Sequence, residues 1–187
     1  MNPKRTDRND LIFKTNEGYM VKVVDYKDTM NVVVQFLDEY DYVTTVTWQN
    51  LSKGRVGNPF HRNKYGGYMG LLSNGEKPLT KINGEPCREY TIWKNMMKRC
   101  YSKTKQYPTY KNVSVCEEWK CYATFVETLP FVENYDLWLN DNNYCLDKDL
   151  KQNGVEFKVY SVETCIFIPN KVNVQDAMSR RFAKNVD

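Results

Sequence analysis

The chain has 187 residues, 41% hydrophobic and 14% aromatic, with a net charge of +4 and a pI of about 8.6. That is enough apolar material for one sizeable domain or two small ones, and it excludes a disordered chain. The mild basicity excludes a histone-like polycation while permitting phosphate as a partner. No run is long and apolar enough to span a membrane, and no apolar stretch follows the polar N-terminus. The sequence therefore points to a cytoplasmic protein with no membrane partner.

Residues 1–15 read as a flexible arm, polar and charged at its start. Residues 16–72 read as a small β module. Its strand-like runs are 18–26 (GYMVKVVDY), 31–37 (NVVVQFL) and 42–48 (YVTTVTW), punctuated by polar clusters at 27–29 and 38–41. β-branched and aromatic residues at alternating positions predict an antiparallel meander. The stretch 51–70 is rich in Gly, Asn and Pro and predicts tight turns. Residues 73–88 read as a linker, with turns at Asn74-Gly75 and Asn83-Gly84.

The period changes over 89–187. Ile92, Trp93, Met96, Met97, Cys100 and Tyr101 recur at helical spacing, and Lys94, Lys98 and Arg99 occupy the rest of that helix. Ser114-Val115-Cys116-Glu117 matches a capping box. Behind it Trp119, Tyr122, Phe125, Val126 and Leu129 form an apolar stripe that Pro130 ends. Residues 144–146 and 157–160 are strand candidates around a Gln152-Asn153-Gly154 turn. Residues 162–168 fit helix or strand, and 171–184 predict a last helix. The whole is an α+β protein of two modules.

Two stretches concentrate positive charge. Residues 94–111 carry Lys94, Lys98, Arg99, Lys103, Lys105 and Lys111 without an acid, interleaved with Tyr101, Tyr107 and Tyr110. This combination suits phosphate neutralisation with base stacking. Residues 53–64 carry Lys53, Arg55, Arg62, Lys64 and His61, again without an acid. Their small neighbours would let a phosphate approach the backbone. Each stretch can equally be a solvated surface with turns. The six cysteines form no Cys-x-x-Cys pair, so they read as buried thiols, with a structural zinc site as the competing reading.

Trp93-x-x-Met96-x-x-Arg99-Cys100-Tyr101, Tyr110, Val115-Cys116-Glu117-Glu118-Trp119, Phe125, Leu146-Asp147-Lys148-Asp149, Tyr160-Ser161, Thr164-Cys165 and Asn173 form a motif string. It resembles phage-encoded HNH-like proteins of the homing-endonuclease type. The N-terminal Gly18-Tyr19-x-Val21, Val34-x-Phe36, Lys53-Gly54, Asn58-Pro59 and Tyr65-Gly66-Gly67-Tyr68-Met69-Gly70 resemble the β module that precedes such a core. The resemblance implies a small N-terminal antiparallel β module followed by an HNH-like ββα core with additional helices.

An HNH site uses a histidine as general base and a metal to stabilise the developing phosphate charge. Here the position of the base reads Lys148 and that of the central asparagine reads Thr164. A lysine is a cation at neutral pH, and neighbouring aspartates hold its proton on. Asp147, Asp149 and Asn173 remain as metal ligands, so a divalent metal enters only if the chain is a working nuclease. The expectation is a DNA-binding phage protein on a catalytically degenerate scaffold, acting in the host cytoplasm without a cofactor. Its phosphate contacts would be Lys53, Arg55, Arg62, Lys64, Lys94, Lys98, Arg99, Lys103, Lys105 and Lys148. Inhibition of a host defence protein or nucleoprotein, such as a CRISPR effector, is the alternative. The acidic edge at Asp38, Glu39 and Asp41 would then be a contact surface.

Overall fold

Valine at every second position builds the N-terminal sheet in the computed structural model, which describes residues 8–102 and 106–183. The strands β1 (Ile12–Lys14), β2 (Met20–Tyr26), β3 (Val32–Phe36) and β4 (Val43–Val46) pair antiparallel in sequential order. Val21, Val23, Val32, Val34 and Phe36 share one face and are fully buried with Leu51 and Val56. Lys22, Val33 and Gln35 fall on the other face, as a period of two requires. A short helix, α1 (Trp48–Ser52), follows, with Thr47 Oγ1 accepting the Asn50 N–H.

The meander is as expected, but β1 lies in the stretch read as an arm. It is an edge strand held by backbone pairing to β2, and Ile12 is 54% exposed. It therefore lacks the buried alternation that betrays a strand. The edge read as an acidic surface is a turn. Asp38 accepts hydrogen bonds from the Asn58 amide and the Tyr40 N–H, and Asp41 accepts one from Gln35.

The chain divides into two compact units, Met1–His61 and Arg62–Asp187. The division falls earlier than the linker expected at 73–88, because Tyr65 and Met69 pack against the core of the second unit. Within that unit β5 (Lys81–Ile82) and β6 (Glu85–Pro86) form a hairpin across Asn83 and Gly84. Then come α2 (Arg88–Tyr101), β7 (Val113–Val115), α3 (Glu117–Lys120), α4 (Tyr122–Thr128) and α5 (Tyr135–Asn140). β8 (Tyr144–Asp147), β9 (Lys158–Tyr160), β10 (Ile166–Pro169) and α6 (Asn170–Ala183) complete it. Trp93, Met97, Trp119, Tyr122, Phe125, Trp138 and Phe167 fill the core.

Three local expectations change. Ser114 caps no helix: it lies in β7, paired with Val159, and the N-cap residue of α3 is Cys116. The apolar stripe from Trp119 to Leu129 is broken at Cys121, whose backbone is extended. The cause is a parallel bridge between Tyr68 and Cys121, which takes the Lys120 carbonyl and the Tyr122 N–H for hydrogen bonds to Tyr68. Finally, β8 and β9 do not pair with each other. β8 pairs antiparallel with β10, and β9 pairs parallel with β7. Residues 162–168 thus end in a strand, and α6 leaves β10 directly to lie against both β8 and β10. No helix among the described residues is long and apolar enough to cross a membrane.

Candidate nucleic-acid interface

The Asp147-Lys148-Asp149 segment begins where β8 ends. Asp147 is 4% exposed, and its Oδ1 accepts the N–H groups of Asp149 at 2.9 Å and Leu150 at 2.7 Å. This carboxylate therefore builds the turn out of the strand. Lys148 is 5% exposed. Its ammonium donates to Asp149 Oδ2 at 2.8 Å and lies 4.8 Å from the Tyr110 ring centroid and 5.6 Å from that of Tyr160. Asp149 Oδ1 accepts a second lysine, Lys158, at 2.7 Å.

The expectation that Lys148 grips phosphate is corrected by this geometry. A buried cation paired with a carboxylate and bordered by two rings is not available to a duplex. Lys158 was missed because it stands in a strand candidate, and nothing in its local sequence announces a carboxylate partner.

The loop beyond is held by uncharged groups. Buried Gln152 donates to the carbonyls of Lys148 and Val159 at 2.7 and 2.9 Å, and its Oε1 accepts the Val159 N–H at 2.9 Å. Thr164 donates to the Val159 carbonyl at 2.6 Å and accepts the Ser161 N–H at 3.0 Å, closing the turn into β10. Asn173, in the first turn of α6, donates to Cys145 Sγ at 3.1 Å. Burial pushes the Cys145 thiol up, and the Asn173 contact works against it. Asp147 Oδ1, both Asp149 oxygens and the Asn173 amide nitrogen are thus engaged with the protein. No group of three His, Cys, Asp or Glu side chains suited to a metal occurs among the described residues.

The basic helix is as the periodicity predicts: Trp93, Met96 and Met97 are buried and Lys94 is exposed. Lys98 is half-buried. Arg99 follows Lys98 by one residue, about 100° further round the helix, and belongs to a different face. Tyr110 and Tyr160 stand beside its guanidinium. Burial works against its charge and the two tyrosines outweigh it, so Arg99 titrates above its ordinary value.

The interleaved tyrosines are also used internally. The Tyr101 hydroxyl accepts the Val115 N–H at 3.0 Å, and Tyr110 serves Arg99 and Lys148. Lys103 and Lys105 lie outside the described residues.

Lys53 and Arg55 are exposed in the first unit, and Arg62 and Lys64 are exposed in the second. The space beside Gly54 is not open to a phosphate. A Cβ there would meet Asn16 Oδ1 at 2.7 Å, and φ is +66°. Glu17 stands by the same loop and accepts the Asn58 N–H at 2.8 Å. The glycine serves the turn and the contact with residues 14–16. Arg62 donates to the Gly66 carbonyl at 2.9 Å and lies over the Tyr68 ring at 5.0 Å.

One feature escaped the sequence reading. A cavity of about 300 Å³ opens between α2, α5 and β8. Arg88, Asn95 and Arg99 line it from one face of α2. The signal was present, since residues 88, 92, 95 and 99 recur at steps of three and four. It was masked because Ile92 reads as core and Arg99 as part of a general basic face.

Set against known proteins, the chain matches no family model, no curated protein and no solved structure.

Proposed function

We propose that this protein binds nucleic acid, double-stranded DNA first, through its surface cations, on an HNH-like scaffold that does not cut. One observation carries the reading. Lys53, Arg55, Arg62, Lys64, Lys94, Lys98 and Arg99 form no salt bridge among the described residues, while the lysines that do are others. Cations without a carboxylate partner keep their charge for phosphate and for counterion release.

The antiparallel pair β8–β10 followed at once by α6 supports the ββα part of the reading. Lys148 at the position of the base, with Asp147 and Asp149 engaged, supports the non-cutting part. A phage origin and action in a host cytoplasm remain part of the proposal, carried by the motif string.

Fluorescence anisotropy with a labelled duplex over a salt series tests the binding. Affinity should fall steeply as salt rises, and Lys94→Gln with Lys98→Gln should lower the slope by about one per neutralised contact. Affinity that ignores salt would sink the reading. Plasmid cleavage with Mg²⁺ or Mn²⁺ that Asp147→Ala abolishes would overturn its non-catalytic half.

A further inference from the structure

The cavity between α2, α5 and β8 measures about 300 Å³, at the lower end of the range for small-ligand sites. Arg88 and Arg99 both line it, and neither forms a salt bridge among the described residues. No aspartate or glutamate lines it. A concave site with two guanidinium groups and no carboxylate selects an anion.

Arg88 is held before any ligand arrives. Arg88 sits 4.2 Å over the Trp138 ring and donates to the carbonyls of Leu139 and Asp141 at 3.3 Å each. Trp138 is in turn stacked on Phe167, with centroids 4.9 Å apart. Arg99 lines the cleft beside Tyr160. A guanidinium has five N–H donors, so the contacts of Arg88 orient it and leave donors over. Such preorganisation lowers the entropic cost of binding.

The rest of the wall says what body the anion has. Ile92, Met96 and Leu146 supply apolar surface, and Tyr144 adds a ring. Asn95 and Asn142 supply amides, which donate and accept at once. That pairing suits the edge of a heterocyclic base. Arg88, backed by Trp138, can stack on a planar ring.

We infer that this cleft binds a nucleotide, its phosphate at Arg99, its base edge at Asn95 and Asn142 and the plane of its base on Arg88. The nucleotide can be free or can be the unpaired end of a nucleic acid; the recognition chemistry is the same. The inference stands apart from the duplex reading except for the shared Arg99.

Isothermal titration with each 5′-mononucleotide, the matching nucleoside, orthophosphate and a 5′-phosphorylated trinucleotide tests it. A mononucleotide should bind at least roughly tenfold more tightly than its nucleoside or orthophosphate, because only it engages both ends of the cleft. Arg99→Gln should weaken it by about tenfold or more, as loss of a charged hydrogen-bond donor does. Arg99→Gln also removes the charge that stands beside Tyr110 and Tyr160, so Asn95→Asp is the second variant. It adds a carboxylate at an exposed helix position, and should weaken binding comparably without moving the melting temperature.

Failure of every mononucleotide and of the trinucleotide to bind at about 5 mM, a few kcal/mol of affinity, overturns the inference even where duplex binding persists. So does an Asn95→Asp variant that binds as tightly as the parent. Mononucleotide binding in a protein that shows no salt-sensitive duplex affinity supports the cleft and sinks the duplex reading alone. Tighter binding of the trinucleotide supports the cleft with a chain end as the source; equal binding supports it with a free nucleotide.

Discussion

Lys148→Met separates a structural lysine from a phosphate-gripping one. The change keeps the length of the side chain and removes its charge. It deletes the 2.8 Å ion pair with Asp149 and the approach to Tyr110 and Tyr160. Breaking a buried pair costs about 3–5 kcal/mol when the partner is left alone. Asp149 is not left alone, since Lys158 still donates to it at 2.7 Å, so the expected loss is about 3 kcal/mol, the lower end of that range. Asp149→Asn should cost more, because it strands Lys148, whose side chain is 6% exposed, together with Lys158. Urea denaturation followed by tryptophan fluorescence gives both values, and the duplex salt titration runs beside it. Duplex affinity should be unchanged in Lys148→Met. A loss of stability below about 1 kcal/mol, the size of an exposed ion pair, would refute the reasoning. So would a selective loss of DNA affinity in a variant as stable as the parent.

Gly70→Ala should destabilise the second unit by more than about 2 kcal/mol, because φ is +65° and the new Cβ would lie 2.3 Å from Cys121 Sγ. Adding Cys121→Ala should recover part of the loss, seen as a partial return of the melting temperature. Gln152→Ala should cost about 3 kcal/mol by urea denaturation, since it leaves the buried polar backbone of Lys148 and Val159 without partners. Alkaline pH should weaken the fold through Cys165, which is fully buried and whose thiol burial pushes up to about 12 from an ordinary 9.0. A raised folded-state pKa leaves the thiol's contribution intact below 9.0 and removes it as pH rises towards 12. The loss is about 1.4 kcal/mol per pH unit in that window. Cys165→Ala should reduce the slope of the melting temperature against pH over that window, where burial also places the thiols of Cys100 and Cys116, at about 12 and about 11; an unchanged slope would count against the burial argument.

Periodicity made the two cores legible. The alternation of Val21, Val23, Val32, Val34 and Phe36 and the helical spacing of Trp93, Met96 and Met97 each state which face is buried before any tertiary contact exists. What escaped depends on contacts distant in sequence. Cys121 sits within a continuous apolar stripe, and only Tyr68 explains why its backbone is extended. β9 follows β8 closely enough to suggest a hairpin, yet its partner is β7, more than forty residues earlier. The burial of Lys148 is the strongest case. Flanked by two aspartates, it looks like a solvated surface residue. Tyr110 and Tyr160 enclose it from other elements, and no window of local sequence contains all of them.

The cation at that position also limits what residue 148 can be. Lys148, Asp149 and Lys158 form one ionic group, and the rings of Tyr110 and Tyr160 stand beside both Lys148 and Arg99. Asp147 meanwhile spends its carboxylate on the turn after β8. A histidine placed at 148 would be too short to keep the geometry of the lysine pair. It would also disturb Tyr110 and Tyr160, and through them Arg99 in the cleft. The segment that carries the nuclease-like spelling is therefore bound into the packing of the second unit. Lys148 packs against Tyr110 and Tyr160, and Tyr160 lines the same cleft as Arg99.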